Sequence, residues 1–163
     1  LFCGISQLVK SENPTDEIIA TNLGSCLGIA IYDPKRKVGG IVHALLPTGK
    51  KDPEKAKEKP FMYVDSGVSN FIQQLVKEGS NTKHLIITVA GGANINDHNN
   101  VFEIGKRNFT ILRKILWKNN LPIKAQDVGG SSSRTLKLSI KDGTVSLKTK
   151  GNETILVNGD EIL

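Results

Sequence analysis

Alternation of apolar and polar residues along the chain predicts two β-hairpins. Residues 27–32 and 38–46, joined by a hydrophilic proline-containing turn, form the first hairpin. Residues 136–147 form the second, because leucine, isoleucine and valine alternate with polar residues on both sides of Asp142-Gly143. An Asp-Gly pair between two such strands predicts a type I′ turn.

Apolar residues recur at helical spacing in two other segments. The first predicted helix follows Asp65 or Ser66 as its cap and ends at Gly79. Its apolar positions are Val68, Phe71, Ile72, Leu75 and Val76. The second ends before Pro122, and its stripe consists of Ile104, Asn108, Ile111, Leu112, Ile115 and Leu116. Between the helices, residues 84–90 predict a buried strand.

These elements predict a mixed α/β (α+β) protein with strands in the majority. We expect a single layered domain of mixed and antiparallel β-sheets, with the two main helices packed outside. The length of 163 residues supports one domain, since domains average about 150 residues. A further turn is predicted at Asn158-Gly159, near the end of the chain.

The charge of the chain is basic, with 22 Lys and Arg residues against 16 Asp and Glu and a formal net charge of +6. Much of the excess lies in residues 50–59, where five lysines and three acids stand between Pro47 and Pro60. We interpret this segment as a solvated connector. Aromatic residues make up only 5% of the chain and none interrupts the basic run, so we predict no nucleic-acid partner.

Cysteine content and hydropathy indicate the compartment. Cys3 and Cys26 are too few for a secreted disulfide framework, and neither has the spacing of a zinc ligand. No stretch approaches the ~20 apolar residues that a membrane span needs. Residues 1–9 lack the features of a signal peptide. We therefore expect a cytoplasmic protein without membrane insertion.

Motifs for phosphate, nucleotide and metal binding are absent from the sequence. Neither GxxxxGK[ST] nor GxGxxG occurs, and Gly91-Gly92-Ala93 after a strand is too weak to indicate a nucleotide. Asp97-His98 lacks the further ligands that a metal site needs. His84 is interpreted as a structural residue that opens a strand. We predict no metal and no organic cofactor.

The segment Gly24-Ser25-Cys26-Leu27-Gly28 carries the chemistry that the sequence offers. Flanking glycines leave the Cys26 sulfur uncrowded, and the backbone N–H groups of Ser25 and Cys26 can face a developing oxyanion. If the hairpin turn spans residues 33–36, Cys26 lies directly opposite His43, close enough for a thiol–imidazole interaction. A one-residue slip would move His43 to the other face. The alternative is that Cys26 is a small buried hydrophobic residue.

An ordered series of short motifs runs from near residue 1 to about residue 148. Its members are Thr21-Asn22-Leu23-Gly24-Ser25-Cys26, Tyr32-Asp33, Gly39-Gly40-Ile41-Val42-His43, Leu46-Pro47, Tyr63-Val64-Asp65, Gly91-Gly92-Ala93, Ile104-Gly105-Lys106-Arg107-Asn108, and Asp127-Val128-Gly129-Gly130 with Arg134. This series resembles the bacterial chemoreceptor glutamine deamidases, the CheD family. The resemblance implies a domain over residues 1–150, and it leaves residues 151–163 outside as a C-terminal tail or short hairpin.

The resemblance implies hydrolysis of selected glutamines to glutamates on methyl-accepting chemotaxis receptors, with a regulatory role in adaptation. It assigns the nucleophile to Cys26 and the base to His43. The family's threonine stands five or six residues before the cysteine, and since position 20 is alanine, Thr21 is the candidate that orients the imidazole. Binding of the chemotaxis phosphatase CheC is implied as a second role. Cys3, with no base near it in the sequence, is expected to be dispensable for activity.

We predict that the loop over residues 94–102 contacts the receptor or the partner, assisted by the lysines of residues 50–59. Gly91, Gly92, Asn94 and Phe102 are the residues assigned to this contact. Phe102 is equally well interpreted as the first core residue of the next helix. Two other functions stay open: another Cys-His acyl-transfer enzyme, such as a peptidase or transglutaminase, and a non-catalytic binding module that regulates a chemotaxis phosphatase.

Overall fold

Two β-sheets and a layer of helices make up the protein in the computed structural model, which describes residues 1–94 and 103–162. Within these residues there are nine strands: β1 Gln7–Ser11, β2 Glu17–Leu23, β3 Leu27–Asp33, β4 Val38–Ala44, β5 Ile86–Gly91, β6 Ile123–Val128, β7 Arg134–Ser139, β8 Val145–Thr149 and β9 Asn152–Val157. The same residues contain three α-helices: α1 Pro53–Glu58, α2 Val64–Lys77 and α3 Ile104–Lys118. None of these helices has the length and hydropathy that crossing a membrane would require.

The strands pair into a five-stranded sheet, in the order β1-β4-β3-β5-β6, and a four-stranded sheet, in the order β2-β7-β8-β9. The β5–β6 pair is parallel, and every other strand pair in these sheets is antiparallel. A crossover through α3 joins the two parallel strands, as parallel pairing requires. The prediction of a layered fold with mixed and antiparallel sheets is confirmed.

The five-stranded sheet is the middle of three layers. Odd-numbered residues 27–31 of β3 share one core with Phe71 of α2 and Leu112 of α3. Ala30, on the opposite face of the same strand, belongs to a second core with Leu136 of the four-stranded sheet. Side chains of a strand point alternately to the two faces, so β3 is buried on both sides. The predicted packing of the two main helices on the outside is confirmed.

The first hairpin has the predicted strands but a different register. Its turn comprises residues 34–37, one residue later than expected, and Gly28 rather than Cys26 pairs with His43. The shift has a local cause: Asp33 Oδ1 accepts hydrogen bonds from the backbone N–H groups of Lys35 and Arg36, at 2.9 and 3.3 Å. Asp33 therefore ends the strand and caps the turn. A register shift of two residues leaves Cys26 on the predicted face.

The second hairpin forms from β7 and β8, but the prediction of a type I′ turn between these strands is wrong. A type I′ turn needs a positive φ at both central residues, and of Asp142 and Gly143 only the glycine has one, 83°. Positive φ at both positions occurs instead at Lys150-Gly151, 53° and 78°, which join β8 to β9. Asn158 caps a short 3-10 helix over Gly159–Glu161, where the sequence predicted a turn.

Both main helices occur where they were predicted, with differences at their edges. Tyr63 is the N-cap of α2, and Asp65 lies in its first turn. His84 does not open a strand, because it is exposed in a 3-10 helix over Thr82–His84, before β5 begins. The lysine-rich connector contains α1, which has no buried residue. Its solvent exposure agrees with the prediction, although its helical turn was not predicted.

Candidate active site

Cys26 lies where the chain passes from one sheet to the other. β2 of the four-stranded sheet ends at Leu23, β3 of the five-stranded sheet begins at Leu27, and Cys26 is in the bend between them. A bulge near the end of β2 includes Asn22, whose φ is 57°, and redirects the chain. The cysteine is 6% exposed, so its sulfur lies close beneath the surface.

The end of β5 holds this bend from one side. The Gly92 N–H donates to the Cys26 carbonyl and the Ala93 N–H donates to the Gly24 carbonyl, each at 2.9 Å. Gly91, with a φ of 114°, lies so close that a Cβ atom there would come within 2.1 Å of the Cys26 oxygen. The two glycines thus allow the end of β5 to pack directly against the backbone of Cys26 and to hydrogen-bond it. Gly91 and Gly92 are buried, which keeps them out of a partner's reach in this structure, whereas Asn94 is exposed.

Asn108 of α3 holds the bend from the other side. Its Nδ2 donates to the Ser25 carbonyl at 2.9 Å and to the Leu45 carbonyl at 3.2 Å, which ties the cysteine loop to the end of β4. Asn108 is fully buried, and its Oδ1 has no hydrogen-bond partner within the described residues. The sequence placed Asn108 in a helical stripe and gave no sign of this role, because both carbonyls are distant along the chain.

The carbonyl groups of residues 24–26 are therefore all occupied by hydrogen bonds. In contrast, the backbone N–H groups of Ser25 and Cys26 donate to no other residue in the described parts of the chain. Donors of this kind, fixed beside a nucleophile, are what an oxyanion hole requires. The arrangement is compatible with the role that the sequence assigned to these two N–H groups.

His43 lies on β4 and is 1% exposed. Its Nδ1 is 3.2 Å from the backbone carbonyl oxygen of Cys3. Because a carbonyl only accepts hydrogen bonds, Nδ1 carries the proton in the neutral ring, and the lone pair is on Nε2. Nε2 is buried and has no partner within the described residues. The ring is thus oriented as a base with a free acceptor nitrogen.

Cys26 and His43 are diagonal neighbours on the same face of the five-stranded sheet. Gly28 pairs with His43, and Cys26, two residues before Gly28, points to the same side, towards the four-stranded sheet. Diagonal neighbours have Cα atoms roughly 7–8 Å apart. No hydrogen bond joins the thiol to the imidazole in the described structure. Catalytic hydrogen bonds are often long without substrate and tighten when it binds.

Thr21 is exposed on β2 and makes no hydrogen bond to His43 in the described residues. The nitrogen that Thr21 was expected to orient is held by the Cys3 carbonyl. Cys3 has no base near it in the sequence, but the pairing of β1 with β4 brings its backbone carbonyl against His43. The Cys3 thiol itself lies 3.2 Å from the Ile41 carbonyl oxygen, to which it donates.

Burial sets the protonation states at this site. It raises the pKa of the Cys26 thiol above its ordinary value of 9.0, and the residue's own backbone N–H opposes this shift. Burial also lowers the pKa of His43 below 6.5, although the hydrogen bond to the Cys3 backbone acts in the opposite direction and raises it. The pKa of Cys3 rises to about 11 for the same reason. At neutral pH the pair is therefore a thiol and a neutral imidazole, which suits proton transfer to Nε2.

A buried arginine supports β5 behind the site. Arg134 Nε donates to Asp127 Oδ1 at 2.8 Å, and its Nη1 donates to the Gly91 carbonyl at 3.2 Å. The Gly129 N–H donates to the same carbonyl at 3.0 Å. These contacts explain why the Asp-Val-Gly-Gly motif and Arg134 occur together, since both fix the strand end that carries the cysteine's support.

Within the described residues, no group of three or more His, Cys, Asp or Glu side chains is arranged to hold a metal ion. Asp97, His98 and Phe102 lie outside those residues, and with them most of the predicted contact loop.

The fold and the site define a class: a three-layer α/β/β domain with a cysteine on the bend between its sheets and a histidine as its diagonal neighbour. A family model described as "CheD chemotactic sensory transduction" matches residues 45–149. The "Probable chemoreceptor glutamine deamidase CheD" of Solibacter usitatus (strain Ellin6076) is 43% identical, covering 96% of this chain and 93% of that protein. The chain belongs to the CheD family.

Two further relatives match over nearly their whole length. "Probable chemoreceptor glutamine deamidase CheD 1" of Syntrophus aciditrophicus (strain SB) is 43% identical over 93% of this chain and 94% of that protein. "Probable chemoreceptor glutamine deamidase CheD 2" of Anaeromyxobacter dehalogenans (strain 2CP-C) is 34% identical over 90% of this chain and 92% of that protein. The similarity therefore includes the segment that carries Cys26 and His43.

Proposed function

We propose that this protein is a chemoreceptor glutamine deamidase, which hydrolyses glutamine side chains of methyl-accepting chemotaxis receptors to glutamates and releases ammonia. The observation that carries the proposal is the buried pair of Cys26 and His43, with the Nε2 lone pair of the imidazole unpartnered in the described residues. The names of the relatives supply the substrate class.

In the first half of the reaction, His43 Nε2 takes the proton of the Cys26 thiol as the sulfur attacks the glutamine side-chain carbonyl. The resulting oxyanion accepts hydrogen bonds from the N–H groups of Ser25 and Cys26. The imidazolium then returns its proton to the departing nitrogen, and ammonia leaves. The products of this half are a thioester on Cys26 and a neutral His43.

In the second half, the same imidazole removes a proton from water, which attacks the thioester carbonyl. Collapse of the second tetrahedral species breaks the C–S bond, and the sulfur recovers the proton from His43. Glutamate and the free enzyme result, with one water consumed for each ammonia released. The reaction requires no metal and no organic cofactor.

The third member of the site is a separate question. The Cys3 carbonyl orients His43 in this structure, and Thr21 is proposed as an additional member on the basis of the family resemblance. Because Thr21 is exposed, near the bend that carries Cys26, we expect Thr21→Ala to lower turnover less than Cys26→Ala or His43→Ala does.

Partner binding and compartment are further parts of the proposal. The CheD resemblance supports binding of a CheC-type chemotaxis phosphatase, and the exposed Asn94 supports contact through the loop over residues 94–102. A substrate on the cytoplasmic part of a receptor implies a cytoplasmic enzyme. Phe102→Ala, with folding checked separately, tests the loop: unchanged affinity for both receptor and phosphatase would remove it as a docking site.

The deciding experiment incubates the protein with purified cytoplasmic receptor fragments and maps the conversion of glutamine to glutamate by peptide mass spectrometry. We expect specific glutamines to be converted, free glutamine to be a poor substrate, and Cys26→Ala to be inactive. Cleavage of the peptide backbone, or incorporation of an added amine, would identify a peptidase or transglutaminase instead. Receptor or phosphatase binding without ammonia release would identify a binding module.

A further inference from the structure

The outward face of α3 carries five cationic side chains and no carboxylate. These are Lys106, Arg107, Arg113, Lys114 and Lys118, all exposed. None forms a salt bridge within the described residues, although Arg113 stacks on the Phe109 ring at 5.8 Å. One helix thus presents a concentrated positive charge. The stability of the domain does not explain it, since repulsion among these cations opposes helix formation.

Trp117 projects from the same face and is 82% exposed. It lines two grooves, of about 420 and 520 Å³, one on each side. The first groove has Leu121 and Ile123 in its wall, and the second has Ile111 and Ile115. Exposed apolar residues are individually common, but an exposed tryptophan between two apolar-walled grooves is typical of an interaction hot spot. We call Arg113, Lys114, Trp117 and Lys118 the Trp117 surface.

α3 connects this surface to the candidate active site. Asn108, near the beginning of the helix, holds the Ser25 carbonyl of the cysteine loop. Trp117 lies nine residues later in the same helix, which at 1.5 Å per residue is about 13 Å along the axis. Nine residues make about two and a half turns, so Trp117 projects to solvent on the side of α3 opposite to the buried Asn108. The Trp117 surface is therefore a docking site separate from the cysteine loop, on a helix that also supports that loop.

We propose that the Trp117 surface docks an acidic helical segment of the protein substrate, at a site separate from the one that holds the glutamine that is hydrolysed. The inference rests on the proposed deamidase function and deepens it. The reaction itself indicates the charge of the partner, because each turnover replaces a neutral amide by a carboxylate. A substrate with several modification sites becomes more acidic as it is processed, and the cations of α3 complement that charge.

The chemistry of the surface favours a protein over other polyanions. Trp117 has no second aromatic side chain among the residues that line its grooves, so successive nucleobases would find no stacking platform. The grooves are shaped to accept apolar side chains, as in the packing of a helix into a groove. Asp65 lies in the second groove and accepts a hydrogen bond from Thr48 Oγ1 at 2.6 Å. A carboxylate at this place disfavours a uniformly anionic ligand such as a lipid surface.

Binding is best measured with the full chain carrying Cys26→Ala, so that receptor fragments bind without being converted. In this background we compare Lys114→Gln/Lys118→Gln with the control Lys148→Gln/Lys150→Gln. The control removes the same charge from exposed positions on the four-stranded sheet, which we call the outer sheet. Trp117→Ala is matched by Ile155→Ala, which is also an exposed apolar residue. We expect about tenfold weaker receptor binding for each α3 variant, and no change for the controls.

Two variations of the measurement test the charge argument. Fragments with glutamate at the modification sites are expected to bind more tightly than fragments with glutamine. This difference should shrink at high salt and in the Lys114→Gln/Lys118→Gln variant. Equal weakening by the α3 and outer-sheet pairs would show that only net charge matters, which overturns the proposal. Tighter binding to duplex nucleic acid or to anionic vesicles than to receptor fragments would overturn it as well.

The outcomes also separate this inference from the proposed function. If the unsubstituted protein releases no ammonia from receptor fragments but binds them through Trp117 and the α3 lysines, the function fails and the docking surface stands. If it deamidates the fragments, and the α3 variants bind and turn over like the controls, the function stands and the docking surface is wrong.

Discussion

At the scale of single residues, hydrogen bonding gives the two buried cysteines different environments and the histidine a defined tautomer. Cys26 lies beside N–H groups of residues 25 and 26 that donate to no other residue in the described parts of the chain, whereas the Cys3 thiol donates to the Ile41 carbonyl. The Cys3 main chain, rather than its sulfur, contacts His43. The two thiols are therefore expected to respond differently to the same substitution.

We expect Cys26→Ala to abolish ammonia release with little change in the melting temperature, because the residue is small and only the nucleophile is lost. Cys3→Ala should retain activity, because alanine has the same backbone carbonyl, and should lose stability by about 1 kcal/mol as a buried thiol contact disappears. Ammonia assays and thermal melts of both variants check this. Turnover by Cys26→Ala, or its loss in Cys3→Ala, would contradict the assignment of the nucleophile.

The lowered pKa of His43 predicts how activity and stability depend on pH. The base must be unprotonated, so kcat/KM is expected to stay high down to pH 6.5 and to fall only at lower pH. Between pH 6.5 and the folded-state pKa, this imidazole binds a proton in the unfolded chain but stays neutral in the folded protein. Its contribution to the free energy of unfolding is therefore fully present above pH 6.5. That contribution is lost as the pH falls through the folded-state pKa.

His43→Asn should remove this part of the pH dependence of stability, which denaturant unfolding from pH 7.5 to 4.5 would measure. An unchanged acid slope in His43→Asn would show that the imidazole titrates as it does in water. An acid limb of kcat/KM centred above pH 6.5 would likewise contradict the burial argument.

At the scale of secondary-structure elements, the apolar pattern predicted the strands and helices that pack, and the differences arise in turns. The pattern fixes which face of β3 and β4 is buried, but Asp33, by capping its own turn, sets the register two residues away from the one expected. The type I′ turn occurs at Lys150-Gly151 because the two-residue loop between β8 and β9 demands positive φ at both positions. Dipeptide preference alone did not distinguish these turns.

The support of the cysteine bend by β5 can be tested with two glycines. Gly91→Ala would place a methyl group 2.1 Å from the Cys26 carbonyl oxygen, so the bend must move. Gly129→Ala is the control, since its φ is also positive, 87°, and no atom lies within 4 Å of the added Cβ. We expect Gly129→Ala to cost about 1–2 kcal/mol from backbone strain, with activity retained. Gly91→Ala should be less stable still and inactive; equal melts and activities for the two would refute a close contact.

At the scale of the whole molecule, the site depends on contacts that no local pattern reveals. The Cys3 carbonyl comes from the N-terminal segment, the cysteine bend and His43 come from the first hairpin and the bend before it, and Asn108 comes from α3. Cys26 and His43 could be predicted from the sequence because both belong to one hairpin region. The alternation of apolar residues there indicates which side chains share a face. Cys3 and Asn108 were not predicted as site residues, because the pairing of β1 with β4 and the docking of α3 on the sheet bring them in.

The N-terminal segment is expected to matter for catalysis as well as for packing. Deleting residues 1–4 removes the carbonyl that orients His43 and spares β1, which begins at Gln7. We expect kcat to fall by about tenfold or more with β1 still paired, because a freely rotating imidazole spends less time with Nε2 towards the thiol. Circular dichroism and steady-state kinetics check this, with Cys3→Ala as the control that keeps the carbonyl. Full activity of the deleted form would assign the orienting role to another group.

Because a main-chain carbonyl orients the imidazole, selection acts on the number of residues between position 3 and β1 rather than on the side chain at position 3. Any residue at position 3 presents the same oxygen, so substitutions there are tolerated as far as packing allows. An insertion or deletion between the N-terminal segment and β1 would displace the oxygen and be purged. Across the family, we therefore expect position 3 to vary in residue type while its spacing to β1 is preserved.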